Sequence, residues 1–76
     1  MSFKFCHRAL AEMQQGALLK YYPQVRKFYA NGWGGYTHAN VRRMMKLGFL
    51  QEVTVENYAL SPDWNEAIEA KKIKMD

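Results

Sequence analysis

A chain of 76 residues that is 49% hydrophobic, with five tyrosines, four phenylalanines and two tryptophans, has the length of one domain, residues 1–76, and enough apolar side chains to exclude disorder. One cysteine makes no internal disulfide, one cysteine with two histidines does not complete a tetrahedral zinc site, and no apolar run approaches the ~20 residues of a bilayer span. The formal charge is +4, and the N-terminus lacks a secretory h-region, so the expectation is a cytoplasmic domain without metal, cofactor or membrane segment.

Over residues 3–15, Phe3, Cys6, Leu10 and Met13 recur at intervals of three and four. That spacing predicts an amphipathic helix stopped at Gly16, with Cys6 as a core residue and His7 on the surface. Residues 17–30 fit two descriptions. As a hairpin, 18–22 and 25–29 flank a Pro23-Gln24 turn, which the aromatic content favours; as a strand plus helix, Pro23 opens a helical turn capped by Asn31-Gly32. Asn31 to Gly35 reads as a turn.

Residues 37–47 give the clearest helix, with Thr37 as N-cap and Gly48 as the left-handed stop. Val41, Met44 and Met45 share one side, while Arg42, Arg43 and Lys46 share the opposite one. A two-stranded unit follows over 49–60, turning at Glu56-Asn57. Ser61-Pro62-Asp63 then predicts a last helix over 62–73, with Ser61 as N-cap, Trp64 as its anchor, and Lys71, Lys72 and Lys74 at its C-terminal end.

Charge is divided unevenly along the chain. Residues 1–46 hold eight Lys/Arg against one acid, Glu12, for +7, whereas residues 47–76 hold three Lys against six acids, for −3. Such a division suggests a basic face suited to a polyanion. Arg matches guanine with its planar fork and Asn matches adenine, so Arg42, Arg43 and Asn40 are candidate base readers. Lys46, Lys20, Arg26 and Lys27 suit phosphates, where charge matters more than shape, and the helix start at Thr37 adds backbone donors.

The run Thr37-x-x-Asn40-Val41-Arg42-x-Met44-x-Lys46-Leu47-Gly48-Phe49-Leu50 resembles the recognition helix and leucine-glycine-leucine exit of winged helix-turn-helix proteins. Tyr58-Ala59-Leu60-Ser61-Pro62 is similar to the strand that closes the wing and leads into the final helix. The order of elements is also similar to small phage and bacterial members in which a hairpin replaces the second helix. The resemblance implies an α+β winged-helix-like fold and a transcriptional regulator that places helix 37–47 in the major groove of double-stranded DNA; a homodimer would double the few base contacts of one half-site and add buried surface to a small core. It casts Thr37, His38, Ala39, Asn40, Arg42, Arg43 and Lys46 as the reading surface. One departure stands out: the wing carries Glu52 and Glu56 and no Lys or Arg. The alternative is therefore a protein-interaction module, such as a phage-encoded inhibitor of a host protein, using the aromatics Trp33 and Tyr36. No nucleophile–base pair, phosphate loop or carboxylate pair occurs at a catalytic spacing, so no enzyme is expected.

Overall fold

The computed structural model describes residues 3–76. In chain order the elements are β1 (Lys4–Phe5), α1 (His7–Gln14), β2 (Leu19–Tyr22), β3 (Lys27–Ala30), β4 (Trp33–Tyr36), α2 (His38–Lys46), β5 (Leu50–Thr54), β6 (Asn57–Leu60), α3 (Trp64–Glu69) and β7 (Lys74–Met75). The domain is α+β: three helices and a five-stranded antiparallel sheet in the order β4-β3-β2-β6-β5, with β1 and β7 forming a separate parallel pair.

Residues 17–30 form the hairpin, not the helix. Its connection is longer than a Pro23-Gln24 turn: the Tyr22 carbonyl accepts from both Val25 N–H (3.2 Å) and Arg26 N–H (2.8 Å), and the strand resumes at Lys27. Asn31 to Gly35 is not all turn. Only Asn31 and Gly32 reverse the chain, at φ 51° and 88°, and Trp33–Tyr36 continues as a third strand. Two successive positive φ values define the tight hairpin turn whose twist matches the flanking strands, and Asn-Gly is the pair best able to adopt it.

The first helix starts at His7 rather than residue 3, because Lys4 and Phe5 pair with Lys74 and Met75 and Cys6 stays extended at φ −71°, ψ 124°. The third helix spans Trp64–Glu69 rather than 62–73, and its N-cap is Asp63, not Ser61. The Ser61 hydroxyl instead donates to the Gly48 carbonyl and accepts from Asp63 N–H, stitching the exit of α2 to the start of α3. No basic residue occupies the last turn of α3. Lys71 adopts φ 60°, and the lysines beyond it swing away from the helix axis.

Alternation along the strands sorts the sheet into two faces. Leu19, Phe28, Ala30, Tyr36 and Leu50 are buried on one face, packed with Ala9 and Met13 of α1, Val41 and Met44 of α2, and Ala67 of α3. Phe5, Phe49 and Ile73 complete this core, and Trp64 docks α3 against it. The opposite face contributes no buried side chain. Among the described residues, no helix is long and apolar enough to cross a membrane.

Candidate nucleic-acid interface

α2 is fixed at its start by a reciprocal cap. Thr37 Oγ1 accepts from Asn40 N–H and Asn40 Oδ1 accepts from Thr37 N–H, each at 3.1 Å. Both donors would otherwise be unsatisfied at a helix N-terminus. The capping box changes the part that Asn40 can play. Adenine recognition uses the amide oxygen and nitrogen together, and the cap pins the Asn40 oxygen to the Thr37 N–H, leaving it one further lone pair beside its Nδ2 donors and fixing the direction of the amide.

His38 is likewise engaged. Its ring lies 4.6 Å from that of Tyr21 and 5.0 Å from that of Phe28, and its Nε2 is 3.7 Å from a Glu56 carboxylate oxygen. It seals the end of the core between α2 and the sheet while keeping one edge in solvent.

Arg42, Arg43 and Lys46 are all exposed. Among the described residues the ion pairs are His7–Asp76 and His38–Glu56, so none of these three cations is neutralised by a partner. They fan into different surroundings. Arg42 lies beside Tyr58, whose hydroxyl is pushed above its ordinary pKa by burial and then by the nearby Glu52 and Glu56 carboxylates, with Arg42 pulling the other way. Lys46 borders a depression shared with Asp63, Glu66 and Lys72.

Arg43 has the most basic setting. It lines a cleft of about 490 Å³ with Lys71, Lys72 and Lys74, floored by Phe3, Leu47 and Ile73 and containing no carboxylate. The three lysines come from the segment whose sequence average is acidic. The left-handed turn at Lys71 carries them back across the molecule to α2. Sequence spacing gives no hint of this convergence, because it depends on β7 pairing with β1 at the opposite end of the chain.

The remaining predicted contacts do not join this surface. Lys20 and Lys27 lie on the uncovered sheet face, opposite the side that packs against α2, and Arg26 sits in the β2–β3 turn. Trp33 is 40% exposed and lies under the guanidinium of Arg8, 4.9 Å from its ring centroid. Tyr36 is only 5% exposed, and its hydroxyl accepts from Cys6 N–H at 2.6 Å. It is a core residue and cannot serve as an exposed interface aromatic. Among the described residues no group of three or more His, Cys, Asp or Glu side chains is placed to hold a metal ion.

No family model, curated protein or solved structure matches the chain.

Proposed function

We propose that this protein binds double-stranded DNA, with α2 presented to the major groove and the C-terminal lysines gripping the flanking phosphates, as in a small winged-helix regulator of phage or bacterial type. The observation that carries this reading is Arg43 gathered with Lys71, Lys72 and Lys74 around a cleft without carboxylates, with Arg42 and Lys46 exposed and outside any ion pair among the described residues on the same helix. Arg43 is the leading base reader, since its fork is uncommitted and cations on both sides would hold the backbone in register. Asn40 acts first as the cap that orients α2. The wing offers the phosphates no grip: Glu52 is exposed on β5, and Glu56 is exposed at the turn, 3.7 Å from His38 at the start of α2.

Fluorescence anisotropy with short duplexes tests the reading. Affinity should fall by roughly 10³-fold between about 50 and 200 mM salt, as expected for several phosphate contacts. Arg43→Ala should remove sequence preference, whereas Lys72→Ala should weaken all sequences alike and reduce the salt slope by about one. Absence of duplex binding at low salt would overturn it. The acidic wing, where Val53 and Val55 are exposed, would then become the surface of interest for a protein partner.

A further inference from the structure

The face of the sheet turned away from the helices carries its own pattern. Strand register places Lys20 directly opposite Tyr29 and Tyr22 directly opposite Lys27. Two tyrosines and two lysines therefore alternate as a checkerboard across β2 and β3. The rings of Tyr22 and Tyr29 meet edge to face, 5.6 Å apart. Neither lysine belongs to an ion pair among the described residues.

The neighbouring positions on this face include Gly35, Gln51, Thr54, Asn57 and Ala59, none of them acidic and none buried. Beside the tyrosines lies an apolar depression of about 310 Å³ bounded by Tyr22, Gln24, Val25, Tyr29 and Gly32. Tyr29 lies over Gly35, where an added Cβ would come within 3.5 Å of its hydroxyl, so β4 brings no side chain up against that ring.

The combination is selective. Cores of protein–protein interfaces are depleted in lysine, and here lysine makes up half of the central patch. A solvated face needs no pair of neighbouring aromatic rings whose charged cross-strand neighbours are both cations. Aromatic platforms bordered by positive charge suit a single nucleic-acid strand, because each base offers a π-face and each linkage a phosphate. A duplex keeps its bases stacked on one another and offers none to these rings.

We infer that the open sheet face is a binding site for single-stranded nucleic acid, with Tyr22 and Tyr29 stacking bases and Lys20 and Lys27 holding the adjoining phosphates. Gln24, at the rim, supplies a donor and an acceptor for a base edge. The site is separate from α2 and does not depend on duplex binding.

The test is anisotropy of the full chain with fluorescein-labelled oligo-dT and oligo-rU of about 12 nucleotides, within the range of site sizes for such surfaces. The two strands separate DNA from RNA as the preferred source. Tyr22→Ala should weaken strand binding by roughly 5- to 150-fold, the span expected for losing one stacked base. Tyr22→Phe should retain it, and Lys20→Glu with Lys27→Glu should abolish it at moderate salt. Thermal unfolding of each variant checks that the exposed substitutions leave the fold intact. Arg43→Ala, which tests duplex binding, should leave strand binding unchanged. The inference is overturned if the wild-type chain binds neither strand at low salt. It is equally overturned if strand binding survives the sheet-face variants or tracks Arg43 instead.

Discussion

Tyr36 ties β1 and the start of α1 to the sheet. Its ring stacks on Phe5 with centroids 4.9 Å apart and planes 11° from parallel, and its hydroxyl accepts the Cys6 N–H that opens α1. Burial pushes its pKa from 10.0 up to about 12. The folded state thus favours the protonated phenol, and the associated stability is fully present below pH ~10, the unfolded value. It is lost as pH rises through about 12. Two consequences follow for Tyr36→Phe. At neutral pH it leaves the Cys6 N–H without its partner, which costs about 1–3 kcal/mol. Between about pH 9 and 11 its urea midpoint should fall less steeply than that of the wild type, because the ionisable group is gone. Equal slopes for the two proteins would show that Tyr36 does not drive the alkaline loss.

All three helices end in the same way, and comparing them explains what could be read from sequence. Gly16 follows α1 at φ 106°, Gly48 follows α2 at φ 79°, and Lys71 follows α3 at φ 60°. In each case the next N–H reaches back to the carbonyl five residues earlier: Ala17 to Glu12, Phe49 to Met44, Lys72 to Ala67. This is the Schellman closure, normally made by glycine. The two glycine stops were legible; the lysine stop was not, and the third helix was expected to run on to residue 73. The capping box was half legible, since Thr37 stands out as an N-cap while the return bond from Asn40 appears only with coordinates. Asn31-Gly32 held the cue for the β3–β4 hairpin, but three glycines within four residues (32–35) masked a strand as loop. The β1–β7 pair joins residues about 70 apart, with no local pattern to announce it. A prediction belongs to this scale. Lys71→Gly removes a left-handed conformation that costs a side-chain-bearing residue about 1–2 kcal/mol. It should raise the melting temperature by about 4 °C or more, and lower duplex affinity slightly through the lost charge. Calorimetry and a duplex titration of one variant measure both; a lower melting temperature would contradict the assignment of strain.

At the scale of the whole molecule, cations from both ends of the chain are gathered with little to offset them. Lys4 and Lys74 are direct partners in the β1–β7 pair, an arrangement of like charges that weakens strand pairing. Lys71 and Lys74 line a second depression together with Lys4. Burial of Phe5 and Ile73 offsets this repulsion, and the Asp76 carboxylate adds a fastening: it accepts from His7 N–H at 3.0 Å and lies 2.8 Å from His7 Nδ1, while Asp76 N–H donates to the Phe5 carbonyl at 3.1 Å. The side-chain hydrogen bond to His7, and then the backbone one, hold the Asp76 pKa below its ordinary value. Its contribution is therefore present above the unfolded carboxylate pKa and is lost as pH falls through the folded one. Repulsion among the lysines acts at every pH at which they are charged, and salt screens it over about 10 Å at 0.1 M. Raising ionic strength from about 10 to 200 mM should therefore stabilise the protein, by up to about 1 kcal/mol or several degrees in melting temperature, even as duplex affinity falls. Lys74→Glu should remove most of that salt dependence, since it places an opposite charge beside Lys4, and it should also weaken duplex binding. If its melting temperature responds to salt as strongly as that of the wild type, the repulsion lies elsewhere and the clasp between the two ends is not where the excess charge is felt.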